Sequence, residues 1–112
     1  MQDLVDYPQQ VGQNSKTVFI KFFATWCKPC KLMAPIMELL ESENPEIEFL
    51  QVDVDQSLKL VDLLNIKGVP TVVVLKNGTE TGRLVGLKLQ AMYQEIINGA
   101  SIEAKHASDT GG

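Results

Sequence analysis

The chain has two cysteines, Cys27 and Cys30, and only Lys28 and Pro29 stand between them in the stretch ATWCKPCK. Thiols this close can do one of three things: supply half of a zinc site, close a permanent disulfide, or cycle between dithiol and disulfide. Zinc needs two further ligands, yet there is no third cysteine, and the single histidine, His106, sits far away in the C-terminal stretch. A permanent bridge over two residues closes so short a loop that it constrains the unfolded chain little. A reversible dithiol needs one thiol with a stabilised anion and a second within reach to displace whatever the first captures.

The surrounding pattern supplies those conditions. TVFIKFFA (17–24) is β-branched, aromatic and almost continuously apolar, and reads as a strand buried on both faces. From Lys28 to Glu43, Leu32, Met33, Ile36, Met37 and Leu40 recur at helical spacing. Pro29 suits a first turn, Pro35 is expected to kink the helix without ending it, and Asn44-Pro45 closes it. Cys27 therefore falls where the strand ends and the helix begins, and the free N–H groups there favour its thiolate. Cys30, one turn further and less exposed, is placed to attack a mixed disulfide. Lys28 adds a positive charge beside the nucleophile, and Pro29 stiffens the turn that brings the sulfurs together.

Further along, 47–54 alternates as a strand, and Asp55 or Ser57 can cap a short helix running to about Leu64. PTVVVLK (70–76) and TETGRLVG (79–86) flank Asn77-Gly78, a strong hairpin signal. A last helix uses Leu89, Met92, Tyr93, Ile96 and Ile97 and stops near Asn98-Gly99. A short helix is expected around Tyr7 to Val11. The order predicts an α/β fold: a small mixed sheet of four to five strands with helices on both faces, helix-linked strands running parallel and the Asn-Gly pair antiparallel.

The 112 residues are expected to form one domain over 1–100, followed by a flexible tail over 101–112. An apolar fraction of 45%, charges at 21% and a net charge of −4 describe a soluble protein and argue against nucleic-acid or anionic-membrane partners. No apolar run approaches the ~20 residues of a membrane span. MQDLVDYPQQ lacks a basic start followed by a greasy segment, so the expected compartment is the reducing cytoplasm.

FFATWCKPCKLMAPI resembles the active-site segment of thioredoxins, where Trp-Cys-Gly-Pro-Cys-Lys is followed by a proline five residues after the second cysteine. NIKGVPT (65–71), VDVDQ (52–56), KNGTE (76–80) and Val85-Gly86 continue the resemblance in matching order, from about Thr17 to Gly99. It implies the thioredoxin fold and a protein-disulfide reductase with no bound cofactor. Cys27 would attack, Cys30 would resolve, and a thioredoxin reductase, most often fed by NADPH, would restore the dithiol. It also implies that Trp26 shapes the substrate surface and that the Val69–Pro70 peptide is cis. The Val69 backbone would pair with an extended substrate, and Gly86 would leave room for the partner. A monomer is expected. The alternatives are a dedicated disulfide oxidant or isomerase, and a binding module of the same fold for which the dithiol is dispensable.

One residue departs from that pattern. Alternation in TVFIKFFA puts Lys21 on the same side as Phe19 and Phe23, where an ammonium must find a partner, snorkel out or become neutral. Thioredoxins usually carry a buried aspartate at this place, six residues before the first cysteine, and a lysine where Gln51 stands here. Two expectations follow for Lys21: a charge pair with Asp53, or partial neutrality and service as the base for Cys30.

Overall fold

The computed structural model describes residues 1–3 and 17–99. The helix expected around Tyr7 to Val11 and the tail over 101–112 lie outside the described residues. Five strands, β1 (Gln2–Asp3), β2 (Thr17–Phe23), β3 (Glu48–Asp53), β4 (Thr71–Lys76) and β5 (Thr79–Val85), form one sheet in the order β1-β3-β2-β4-β5. Among the described residues four helices accompany them: α1 (Lys28–Leu32), α2 (Ala34–Glu43), α3 (Leu58–Leu63) and α4 (Gln90–Ile97).

β2 is central. It pairs in parallel with β3 along one edge and antiparallel with β4 along the other. Its side chains alternate between two cores. Phe19 packs with Met33, Met37 and Leu40 of the α1–α2 stretch and with Tyr93 and Ile96 of α4. Val18, Ile20 and Phe22 pack on the opposite face with Leu60 of α3, Ile66, Val52 and Val73. Both faces are thus covered, which is why β2 reads as a continuous apolar run.

The expectation that helix-linked strands run parallel holds for β2 and β3 and fails for β4. The stretch from Lys28 to Glu43 is long enough to carry the chain back along the sheet. α3 rises only ~9 Å at 1.5 Å per residue, short of the ~20 Å of a six-residue strand. The chain therefore re-enters at the end where β3 left off, with Thr71 opposite Phe22, and runs back antiparallel. This return sets Pro70 at the same end of the sheet as Cys27.

The single kinked helix expected from Lys28 to Glu43 is divided into two elements, α1 and α2, just before Pro35. The helical bonding is interrupted at Met33, which keeps helical dihedrals (φ −79°, ψ −18°) between α1 and α2. Pro35 offers no N–H to the carbonyl four residues back, so α2 restarts from the Met33 carbonyl through the Met37 N–H at 3.0 Å. Asn77 (φ 54°) and Gly78 (φ 80°) make the tight turn between β4 and β5. Ser57 precedes α3 without capping it; its hydroxyl is buried and makes no hydrogen bond among the described residues.

Lys21 sits in the middle of β2, level with Gln51 on β3 and Val72 on β4, and is only 7% exposed. Its Nζ lies 5.5 Å from the centroid of the Phe23 ring. The pair with Asp53 does not form: an Asp53 carboxylate oxygen accepts from the Asp55 N–H instead, at 3.0 Å. Among the described residues no carboxylate forms a salt bridge with Lys21. Burial accordingly pushes its pKa below the ordinary lysine value of 10.5.

That burial has a measurable cost. The lysine of the unfolded chain keeps its proton up to a higher pH than the folded one does, so the penalty is full below the lowered folded pKa. It fades as pH rises towards 10.5. Lys21→Met is expected to raise the unfolding free energy of the disulfide form at neutral pH by about 1–3 kcal/mol. Denaturant unfolding across a pH series should show this advantage shrinking through the alkaline range; a constant advantage, or none, would contradict the burial of a charged lysine.

Candidate active site

Cys27 follows a turn in which its own N–H donates to the Ala24 carbonyl at 3.1 Å, and it caps α1 in an extended conformation (φ −89°, ψ 109°). The Cys30 N–H donates to the Cys27 sulfur at 3.2 Å. A cysteine sulfur thus takes the place that Ser or Asp fills at other helix starts, and a donor already points at the atom that must carry negative charge. Pro29 stands in the first turn, as expected, and Lys28 and Pro29 are both exposed.

The two sulfurs are bonded as a disulfide, with Cα atoms 5.3 Å apart. Cys27 and Cys30 are 4% and 2% exposed, so in this form the contrast expected between them is slight. They pack with Ala24, Phe23, Val54 and Val69 in a small apolar cluster at the end of the sheet. Among the described residues no group of three or more His, Cys, Asp or Glu could hold a metal ion, and no helix is long and apolar enough to cross a membrane.

Trp26 is 68% exposed. Its indole N–H donates to an Asp55 carboxylate oxygen at 2.9 Å, which fixes the ring beside the cysteine pair. The ring walls a mainly apolar cleft of about 210 Å³ that is also lined by Val54, Val61, Ile66, Lys67, Gly68 and Val69. Neither the Asp55 contact nor this cleft was foreseen from the sequence, where Asp55 is one acid among fourteen. Its place just after a strand that ends level with Phe23 is the only signal that could have marked it.

The Val69–Pro70 peptide is cis, as expected. The Pro70 carbonyl accepts from the Gly86 N–H at 2.8 Å, and the Gly86 carbonyl accepts from the Tyr93 hydroxyl at 3.1 Å. Gly86 adopts φ +90°, which favours glycine, while a Cβ added there would meet no atom within 4 Å. The surface above it is therefore open. The fold thus brings Cys27, Cys30, Trp26, Val69, Pro70 and Gly86 to one end of the sheet, with Lys28 and Pro29 between the cysteines. Lys21 reaches the same region from below: it lines a cleft of about 320 Å³ with Cys30 and Lys31.

Residues 3–98 match the Thioredoxin family model. The chain is 42% identical over 84 residues to a thioredoxin of Chlamydia trachomatis, covering 75% of this chain and 82% of that protein. It is 35% identical over 95 residues to thioredoxin-1 of Saccharomyces cerevisiae, covering 85% of this chain and 91% of the relative. The solved structure of Fasciola hepatica thioredoxin superposes with a TM-score of 0.79 at 32% identity, covering 88% of this chain and 97% of that one. A redox-capable cysteine pair capping a helix at the end of such a sheet, and relatives of this likeness across most of both chains, lead to one conclusion: the chain belongs to the thioredoxin family of thiol–disulfide oxidoreductases, with Cys27 and Cys30 as its redox couple.

Proposed function

We propose that this chain reduces protein disulfides in a reducing compartment by a two-step exchange in which Cys27 attacks and Cys30 resolves. The observation that carries the assignment is the Cys30 N–H held on the Cys27 sulfur at the first turn of α1. That hydrogen bond stabilises charge on Cys27 and leaves Cys30 inside the turn. The Cys27 thiolate bonds one sulfur of the substrate disulfide, and the other substrate sulfur leaves with the bonding pair. Cys30 then bonds Cys27, the bond from Cys27 to substrate breaks, and reduced substrate departs. Trp26, the Val69 backbone and the open surface over Gly86 receive an extended segment of the substrate. A thioredoxin reductase drawing on NADPH returns the pair to the dithiol, and a monomer suffices for the whole cycle.

Insulin-disulfide reduction tests the reading, first with dithiothreitol and then with NADPH and a thioredoxin reductase. Cys30→Ser is expected to accumulate a mixed disulfide with insulin that Cys27→Ser does not form. Equal trapping by both variants would overturn the assignment.

Lys28 stands exposed between the cysteines, where its charge favours the thiolate and with it the dithiol. Lys28→Gly is expected to shift the equilibrium with glutathione towards the disulfide by roughly twofold to tenfold, or ~10–30 mV, small because the charge is solvated. A wild-type potential equal to or below that of the variant would contradict this.

A further inference from the structure

Among the described residues Lys21 forms no salt bridge, although its burial would lead one to expect one. On its own sheet it faces Gln51, whose amide N–H donates to an Asp3 carboxylate oxygen at 2.7 Å, and Val72, which is apolar. Asp53, two residues further along β3, accepts the Asp55 N–H at its carboxylate. On the helical side, Glu38 and Glu41 of α2 line a second cleft with Lys21, and Glu41 is held by the Met1 α-ammonium at 3.0 Å. From α1 come Lys31, which carries the same sign as Lys21, and Cys30. Of these groups, only Cys30 gains a negative charge during the reaction.

We propose that Lys21 is the counter-ion of the Cys30 thiolate: the ammonium stays charged in the cleft that both residues line and stabilises the Cys30 sulfur once its proton has gone to solvent. The proposal rests on the reading of Cys30 as the resolving cysteine. In the disulfide neither sulfur carries charge, and Lys21 is left facing Phe23 and the Gln51 amide. In the mixed disulfide between Cys27 and substrate, Cys30 is a free thiol, and once it loses its proton the anion shares its cleft with the Lys21 ammonium. The thiolate then attacks the Cys27 sulfur, the bond from Cys27 to substrate breaks, and the substrate sulfur leaves with the bonding pair. Lys21 and Cys30 are both largely buried, so water screens an interaction between them less than it would at the surface. A buried thiol without such a neighbour would instead be held in its neutral form. Lys21 is thus a positioning charge, acting on the reacting sulfur through the field it sets.

The test isolates the resolving thiol. In a Cys27→Ser background, Cys30 is the only thiol, and its ionisation is followed by ultraviolet thiolate absorbance against pH. Adding Lys21→Met, which keeps the length of the side chain, is expected to raise the Cys30 pKa by about 1–3 units. Lys21→Arg, which cannot accept a proton, is expected to restore it. An unchanged pKa in the Met variant overturns the proposal. A folded Arg variant that titrates like the Met variant overturns it too, since the amine would then be acting as a base. If arginine is not accommodated, the Met comparison decides alone. Insulin reduction by the protein with both cysteines is read separately, so a failure of the reductase reading leaves this titration intact.

Discussion

β2 is hydrogen-bonded along both edges and covered on both faces, so every side chain it carries must belong to one core or the other. Phe19 and Phe22 satisfy that constraint by filling the two cores. The end of the same strand sets the turn that delivers Cys27 to the head of α1. The antiparallel return of β4 along its other edge brings Pro70, and through the Pro70 carbonyl Gly86, to the same end. The reactive surface is therefore a by-product of how the central strand is enclosed. Lys21 is the one residue of β2 whose chemistry opposes the enclosure.

That opposition links stability to chemistry. A buried charge that forms no salt bridge among the described residues costs the fold free energy, and an anion arising beside it lowers that cost. The dithiol half of the redox cycle can supply one at Cys30, whereas the disulfide half cannot. Whatever penalty Lys21 imposes should thus fall more heavily on the oxidised protein, and the balance between the two redox forms should tilt towards the dithiol. Lys28 pushes the same way from outside, more weakly, because water screens it.

Much of this was legible in the residues. Periodicity placed the four longer strands and their helices, the Asn-Gly pair placed the hairpin, and Cys27 followed from the meeting of strand and helix patterns. The burial of Lys21 followed from its alternation with Phe19 and Phe23. Other features depend on pairings across the fold that no local pattern carries. β1 is two residues long and exists only because β3 offers it an edge. The direction of β4 follows from the length of α3. Asp53 lies on the expected face and still does not meet Lys21, because its carboxylate is occupied by the Asp55 N–H. The indole bond from Trp26 to Asp55 spans 29 positions, beyond the reach of any spacing rule.

The most direct measurement is the redox equilibrium of Lys21→Met against a glutathione buffer, set beside that of the wild type. Removing a charge that the dithiol compensates better than the disulfide does is predicted to move the equilibrium towards the disulfide by about tenfold, equivalent to ~30 mV for this two-electron couple. An unchanged equilibrium, or a shift towards the dithiol, would contradict the claim that Lys21 holds its charge for the resolving sulfur.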